Sequence, residues 1–190
     1  MTKPDAIHRS LLGAGLLLAL AAAPAQAQDT QKLFDFSTMA TAAAQNDTEH
    51  VASFVRRGDS PNFLDGQGRS PLDYAAGFGN RVMMQMLLDD GARPDFRDKF
   101  GATALHWAAE AGQVEAIELL VNAKAPVDAT NREGITPLML AAGANRGEAV
   151  MALLKAGADP KKQDFSGRDA MGYAAGRPNA MRALQAARPG

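Results

Sequence analysis

Residues of one kind return every 33 positions along most of this chain, and a period of that length admits few folds. Ala75-Ala76, Ala108-Ala109, Ala141-Ala142 and Ala174-Ala175 keep one register. Gly79 and Gly112 stand one period apart, and Asn46 and Asn145 occupy the same place one step further out on either side. No insertion or deletion interrupts the first four units. A unit this short cannot bury its apolar side chains alone, so neighbouring units must stack in a line and complete one another's core.

Within each unit the residue types spell two helices. Ser37, Ser70, Thr103, Thr136 and Asp169 share a register position, and each has a side-chain oxygen able to accept a backbone N–H at a helix start. Pro71 and Pro137 follow two of them, at the first helical position, where a missing N–H costs nothing. Leu72, Leu105 and Leu138 supply bulk to the first helix, and the paired alanines allow close stacking. The second helix has apolar residues at helical spacing, as in Met84, Leu87 and Leu88, or Ile117, Leu120 and Val121. Gly58, Gly91 and Gly157 fall where that helix should end in a left-handed residue; Lys124 breaks the rule. Between units, PNFLDGQG from Pro61 and PDFRDKFG from Pro94 have tight-turn composition.

Overlaid, the units read SPLDYAAGFGN from Ser70, TALHWAAEAGQ from Thr103, TPLMLAAGANR from Thr136 and DAMGYAAGRPN from Asp169. This resembles the ankyrin repeat, whose TPLHxAAxxG core is followed by a stretch ending in LLxxGA, here Leu87-Leu88 with Gly91-Ala92 and Leu153-Leu154 with Gly157-Ala158. The resemblance spans residues 32–190 as units 32–64, 65–97, 98–130, 131–163 and 164–190. It implies an all-α solenoid of about five helix-turn-helix units with projecting β-hairpin fingers. The terminal units should differ, having one uncovered face each. Asp35 and His50 mark the first; Pro178 at the glycine place marks the last, whose second helix should be shortened or shifted because Met181 and Leu184 miss the usual apolar positions.

The resemblance also implies a function, since such repeats bind partners at the finger tips and on the concave side of the first helix. Carried over by register, those places include Gln67, Arg69 and Phe78; Lys99, Phe100, Ala102 and Glu110; Arg132, Glu133 and Ile135; and Phe165, Arg168 and Arg177. Aromatic and Arg anchors within a polar rim match the composition of interface hot spots. Phe100 and Phe165 fall at turn tips with no core to enter. Tyr74, Trp107 and Tyr173, which share a register position beside the alanine pair, are expected to pack between units.

Before the repeats, Lys3 and Arg9 precede the apolar run Leu11 to Ala23, then Pro24 and Ala25-Gln26-Ala27. That is the layout of a secretory signal peptide over residues 1–27, with a mature domain over 28–190. The run is shorter than the roughly 18 to 20 residues that span a bilayer, so no membrane insertion is expected after cleavage. The whole chain resembles bacterial exported ankyrin-repeat proteins. It is read as a periplasmic monomer that binds another protein, and the same leader would serve a secreted protein acting on a host or competitor.

Other chemistry has little support in the residues. Lys and Arg total 20 against 21 Asp and Glu, which gives no charge excess directed at nucleic acid. Cysteine is absent, which removes disulfides, thiolate metal sites and a cysteine nucleophile. The three histidines, His8, His50 and His106, form no pair at zinc-ligand spacing, so neither metal nor cofactor is expected. His106, three residues after Thr103, suits a hydrogen bond bracing the turn. The acidic groups Asp47, Glu49, Asp89 and Asp90 would be needed for a carboxylate hydrolase, but they fall at helix ends, where solvated surface is the simpler reading. The chain is therefore read as a binding protein and not an enzyme.

Overall fold

The computed structural model describes residues 38–187. The expected signal peptide, Ser37 and Asp35 lie outside these residues. Within them the chain forms five helix pairs: α1 (Met39–Ala44) with α2 (Thr48–Arg56), α3 (Pro71–Phe78) with α4 (Arg81–Asp89), α5 (Ala104–Ala111) with α6 (Val114–Asn122), α7 (Pro137–Gly143) with α8 (Gly147–Lys155), and α9 (Ala170–Tyr173) with α10 (Pro178–Ala186). First helices stack on first helices and second on second. The architecture is an all-α solenoid.

Three of the expected caps start their helices as their chemistry requires, while the Thr103 side chain meets His106 Nδ1 and makes no cap bond to a backbone N–H. Ser70 and Thr136 accept the N–H groups of Asp73 and Met139, and Asp169 accepts that of Gly172. In the first unit the cap is Thr38, one residue beyond the repeat register, and its Oγ1 accepts the Thr41 N–H. Leu72, Leu105 and Leu138 are fully buried, as are all four first alanines of the alanine pairs, Ala75, Ala108, Ala141 and Ala174. Leu87, Leu120 and Leu153 fill the equivalent place on the second helices. Burying a leucine contributes about 1.5–3 kcal/mol.

In the last unit it is the first helix that shortens. α9 stops at Tyr173, Gly176 takes the left-handed conformation, and Pro178 opens α10 two residues ahead of the repeat register. Proline disfavours a helical residue before it, and Arg177 is accordingly extended. The second helix keeps the nine residues of its neighbours. The shift is what brings Ala180, Met181 and Leu184 onto the positions filled by Ala149, Val150 and Leu153 one unit earlier. Met181 and Leu184 looked misplaced only against an unshifted register.

The projections between units are tight turns, and among the described residues none is a strand. Each turn closes on itself: the N–H of Asp65, Asp98, Asn131 and Asp164 bonds the carbonyl of Arg69, Ala102, Ile135 and Arg168 respectively. The side chain of the same residue caps the turn from inside, as when Asp98 Oδ1 accepts the N–H of Phe100 and of Ala102. One ladder bond per turn is too little pairing to make a hairpin strand.

Candidate partner-binding face

Adjacent turns are tied tip to tip. Lys99 N–H donates to Gln67 O at 3.1 Å, Arg132 N–H to Phe100 O at 2.9 Å and Phe165 N–H to Glu133 O at 3.0 Å. The bonds set Gln67, Lys99, Phe100, Arg132, Glu133 and Phe165 in a continuous row, and all six are exposed. Phe100 is 52 % and Phe165 81 % solvent-accessible, and Lys99 Nζ stands 5.2 Å from the Phe100 ring. Phe78 is half-exposed at the end of α3, near Val82 in sequence.

Behind the row lie the aromatics of the first helices. Each remains partly accessible; Tyr74 and Tyr173 pack against the core as expected and also brace the turns of their own units. Tyr74 donates its hydroxyl hydrogen to Asp65 Oδ2 at 2.5 Å, and Tyr173 does the same to Asp164 Oδ2 at 2.7 Å. Arg69, half-buried, lays its guanidinium 3.9 Å from the Trp107 ring and 5.5 Å from that of Tyr74. Arg168 stands 4.6 Å from the Tyr173 ring and donates to Asp164 Oδ2. Ser166 Oγ, Arg168 N–H and the Tyr173 hydroxyl all donate to Asp164 and hold its carboxyl well below the usual carboxylate range. Burial and the Asp164 carboxylate push the Tyr173 hydroxyl up to about 12.

Two of the register-derived positions do not belong to this surface. Ile135 is only 8 % accessible and Ala102 is similarly buried, although the long side chains of Arg69 and Arg168 at the equivalent places reach toward solvent. Ile135 serves through its backbone: His106 Nδ1 accepts the Thr103 N–H, and Nε2 meets Ile135 O at 3.1 Å. Burial pushes the His106 imidazole down to about 4, so it stays neutral as a brace. Glu110 and Arg168 line a cleft of about 420 Å³ with Arg177, floored by Leu140, Gly143 and Gly172. Register reasoning missed Phe63 and Leu64, which are exposed just before the second turn. Their place in PNFLDG was visible, but the turn composition around them masked it. A larger cleft, about 940 Å³, lies away from this face, against α6, α8 and α10.

Residues 38–131 and 84–164 match the family model for ankyrin repeats (3 copies). The chain belongs to the ankyrin-repeat family. No curated protein matches it. Ankyrin repeats are protein–protein interaction modules, generally without enzymatic activity. Among the described residues, no group of three or more His, Asp or Glu is placed to hold a metal ion.

Proposed function

We propose that this ankyrin protein is exported and binds a protein partner in the bacterial periplasm, which it holds, protects or inhibits without catalysing a reaction. The turn row is the contact surface, comprising Gln67, Lys99, Phe100, Arg132, Glu133 and Phe165, with Arg69, Phe78, Glu110 and Arg168 beside it. The observation that carries this reading is the pair Phe100 and Phe165. Two accessible phenylalanines at turn tips add nothing to the core, whereas central aromatic anchors typically contribute about 2 kcal/mol or more each to an interface. Export is supported by the charged start, apolar run and Ala25-Gln26-Ala27 of the leader.

Affinity capture from the producing cell's own envelope fraction tests the reading. Wild-type protein should retain a discrete partner, Phe100→Ser with Phe165→Ser should lose it, and Lys155→Glu on α8 should keep it. Retention by the double serine variant would place the interface elsewhere. Intact mass from a periplasmic extract should correspond to a chain beginning at Gln28; a full-length species confined to the cytoplasm would defeat the localisation.

A further inference from the structure

Two charged residues of the cleft that crosses α5, α7 and α9 have no part in the repeat framework. Glu110 occupies the register place of Gly77, Gly143 and Gly176, and Arg177 that of Phe78, Ala111 and Ala144. Both are exposed, and neither side chain makes an ion pair among the described residues. Arg146 Nε donates to the Glu110 backbone carbonyl and leaves the carboxylate free. The other cation of the cleft, Arg168, is already engaged by Asp164 Oδ2, the Tyr173 hydroxyl and Ser166 Oγ. The cleft therefore presents one free anion on α5 and one free cation just beyond α9.

What lies between them is small: Gly143, Ala144, Gly172 and Ala175, with Leu140 and the Tyr173 ring. Gly143 sits against that ring, since a Cβ there would stand 3.3 Å from Tyr173 Cδ1. A floor with few side chains lets the backbone of another chain approach closely. Stacked helices lie about 8–10 Å apart, so the two charged walls, two steps apart, are roughly 16–20 Å from axis to axis. Four residues of extended chain cover about 13 Å, and the Glu110 and Arg177 side chains take up the rest. Along such a chain residues i, i+2 and i+4 face one way. Building on the reading of this face as a partner-binding surface, we propose that the cleft holds an extended segment of the partner with opposite charges at i and i+4. Its base meets Glu110, its acid meets Arg177, and a small residue at i+2 lies over Gly143. A segment of one sign would meet a like charge at one wall. Exposed pairs of this kind set specificity more than affinity, so preference among ligands is the property to measure.

The probes are capped peptides: Lys-Ser-Ala-Ser-Glu, its reverse, and the single-sign forms with Lys or Glu at both ends. Amide NMR titration of the purified protein, which reads weak binding, should show the Gly143 and Gly172 signals shifting. A mixed-charge peptide should bind several-fold more tightly than either single-sign form. Glu110→Arg should transfer the preference to the peptide with two glutamates, and Arg177→Glu to the one with two lysines. Both sites are exposed, so these variants keep the fold. Ala175→Leu, also at an exposed site, narrows the cleft and should weaken every peptide. No shift with any peptide, equal binding of mixed and single-sign forms, or an unchanged preference in Glu110→Arg would each overturn the assignment. Envelope capture separates it from the broader reading. A partner lost by Phe100→Ser with Phe165→Ser but kept by Glu110→Arg would overturn the cleft and leave the turn row standing. The predicted peptide preferences with no partner in the envelope fraction would support the cleft and count against the periplasmic role.

Discussion

The ring of Phe165 lies against Gly134 of the preceding turn, so closely that a Cβ at Gly134 would stand 2.8 Å from Phe165 Cδ1 and 3.0 Å from Phe165 N. Gly134 also has φ +81°, in the left-handed region. Gly134→Ala should therefore destabilise the protein by roughly 1–2 kcal/mol from backbone strain alone, read as a lower urea midpoint.

Phe165 and Phe100 should themselves tolerate truncation. Changing both to Ser removes mostly accessible ring surface, none of it from the core, and leaves the backbone bonds between turns, so thermal stability should move by no more than about 0.5 kcal/mol per site. A melting curve showing a cooperative loss well beyond that would mean the rings hold adjacent turns together.

Lys124 adopts φ +66° at the place where Gly58, Gly91 and Gly157 adopt +78°, +88° and +93°. Its side chain is exposed, so Lys124→Gly removes left-handed strain without opening a cavity. A gain of up to about 1 kcal/mol is expected, measured by denaturant midpoint. No gain would show that the lysine is accommodated there without strain.

Asp73 and His106 occupy the same position in successive units, and they titrate in opposition. Burial, reinforced by Asp98, pushes the Asp73 carboxyl up to about 7, against Ser70 and Arg69, which oppose it. Its proton is held more tightly in the folded state, so its contribution to stability falls as pH rises from near 3.8 through about 7. His106 is pushed down to about 4, so its contribution is present above 6.5 and is lost as pH falls toward 4. The two slopes offset in wild type. Urea midpoints of Asp73→Asn should therefore rise between pH 4.5 and 6.5, and those of His106→Gln should fall over the same range. Parallel slopes in the two variants would refute the opposition.

Tyr173→Phe removes the hydroxyl that donates to Asp164 and accepts from Arg168. The expected loss is about 1 kcal/mol, localised to the last unit. Amide exchange at Ala170 to Tyr173 should accelerate more than in α5.

The repeat, its caps and its core were determined by local chemistry that a 33-residue period displays directly. Ser70, Thr136 and Asp169 cap helices because an N-terminal N–H needs an acceptor wherever a helix starts. Leu72, Leu105 and Leu138 are buried because identical units can only stack. The left-handed site at Lys124 was legible from the glycines one period away. Exposure of the turn tips followed from the same register, while Ile135 and Ala102 did not, because only the three-dimensional turn decides which way its closing residue faces. Tertiary structure also gave the two packed tyrosines a second role as braces: a hydroxyl within reach of Asp65 or Asp164 gains a charge-assisted bond that deep burial would forfeit. Pro178 was visible in the sequence, but whether it would shorten the first or the second helix depended on which choice kept Ala180 and Leu184 against the preceding unit. That choice belongs to packing, since the energy of burying those side chains exists only once the neighbour is in place.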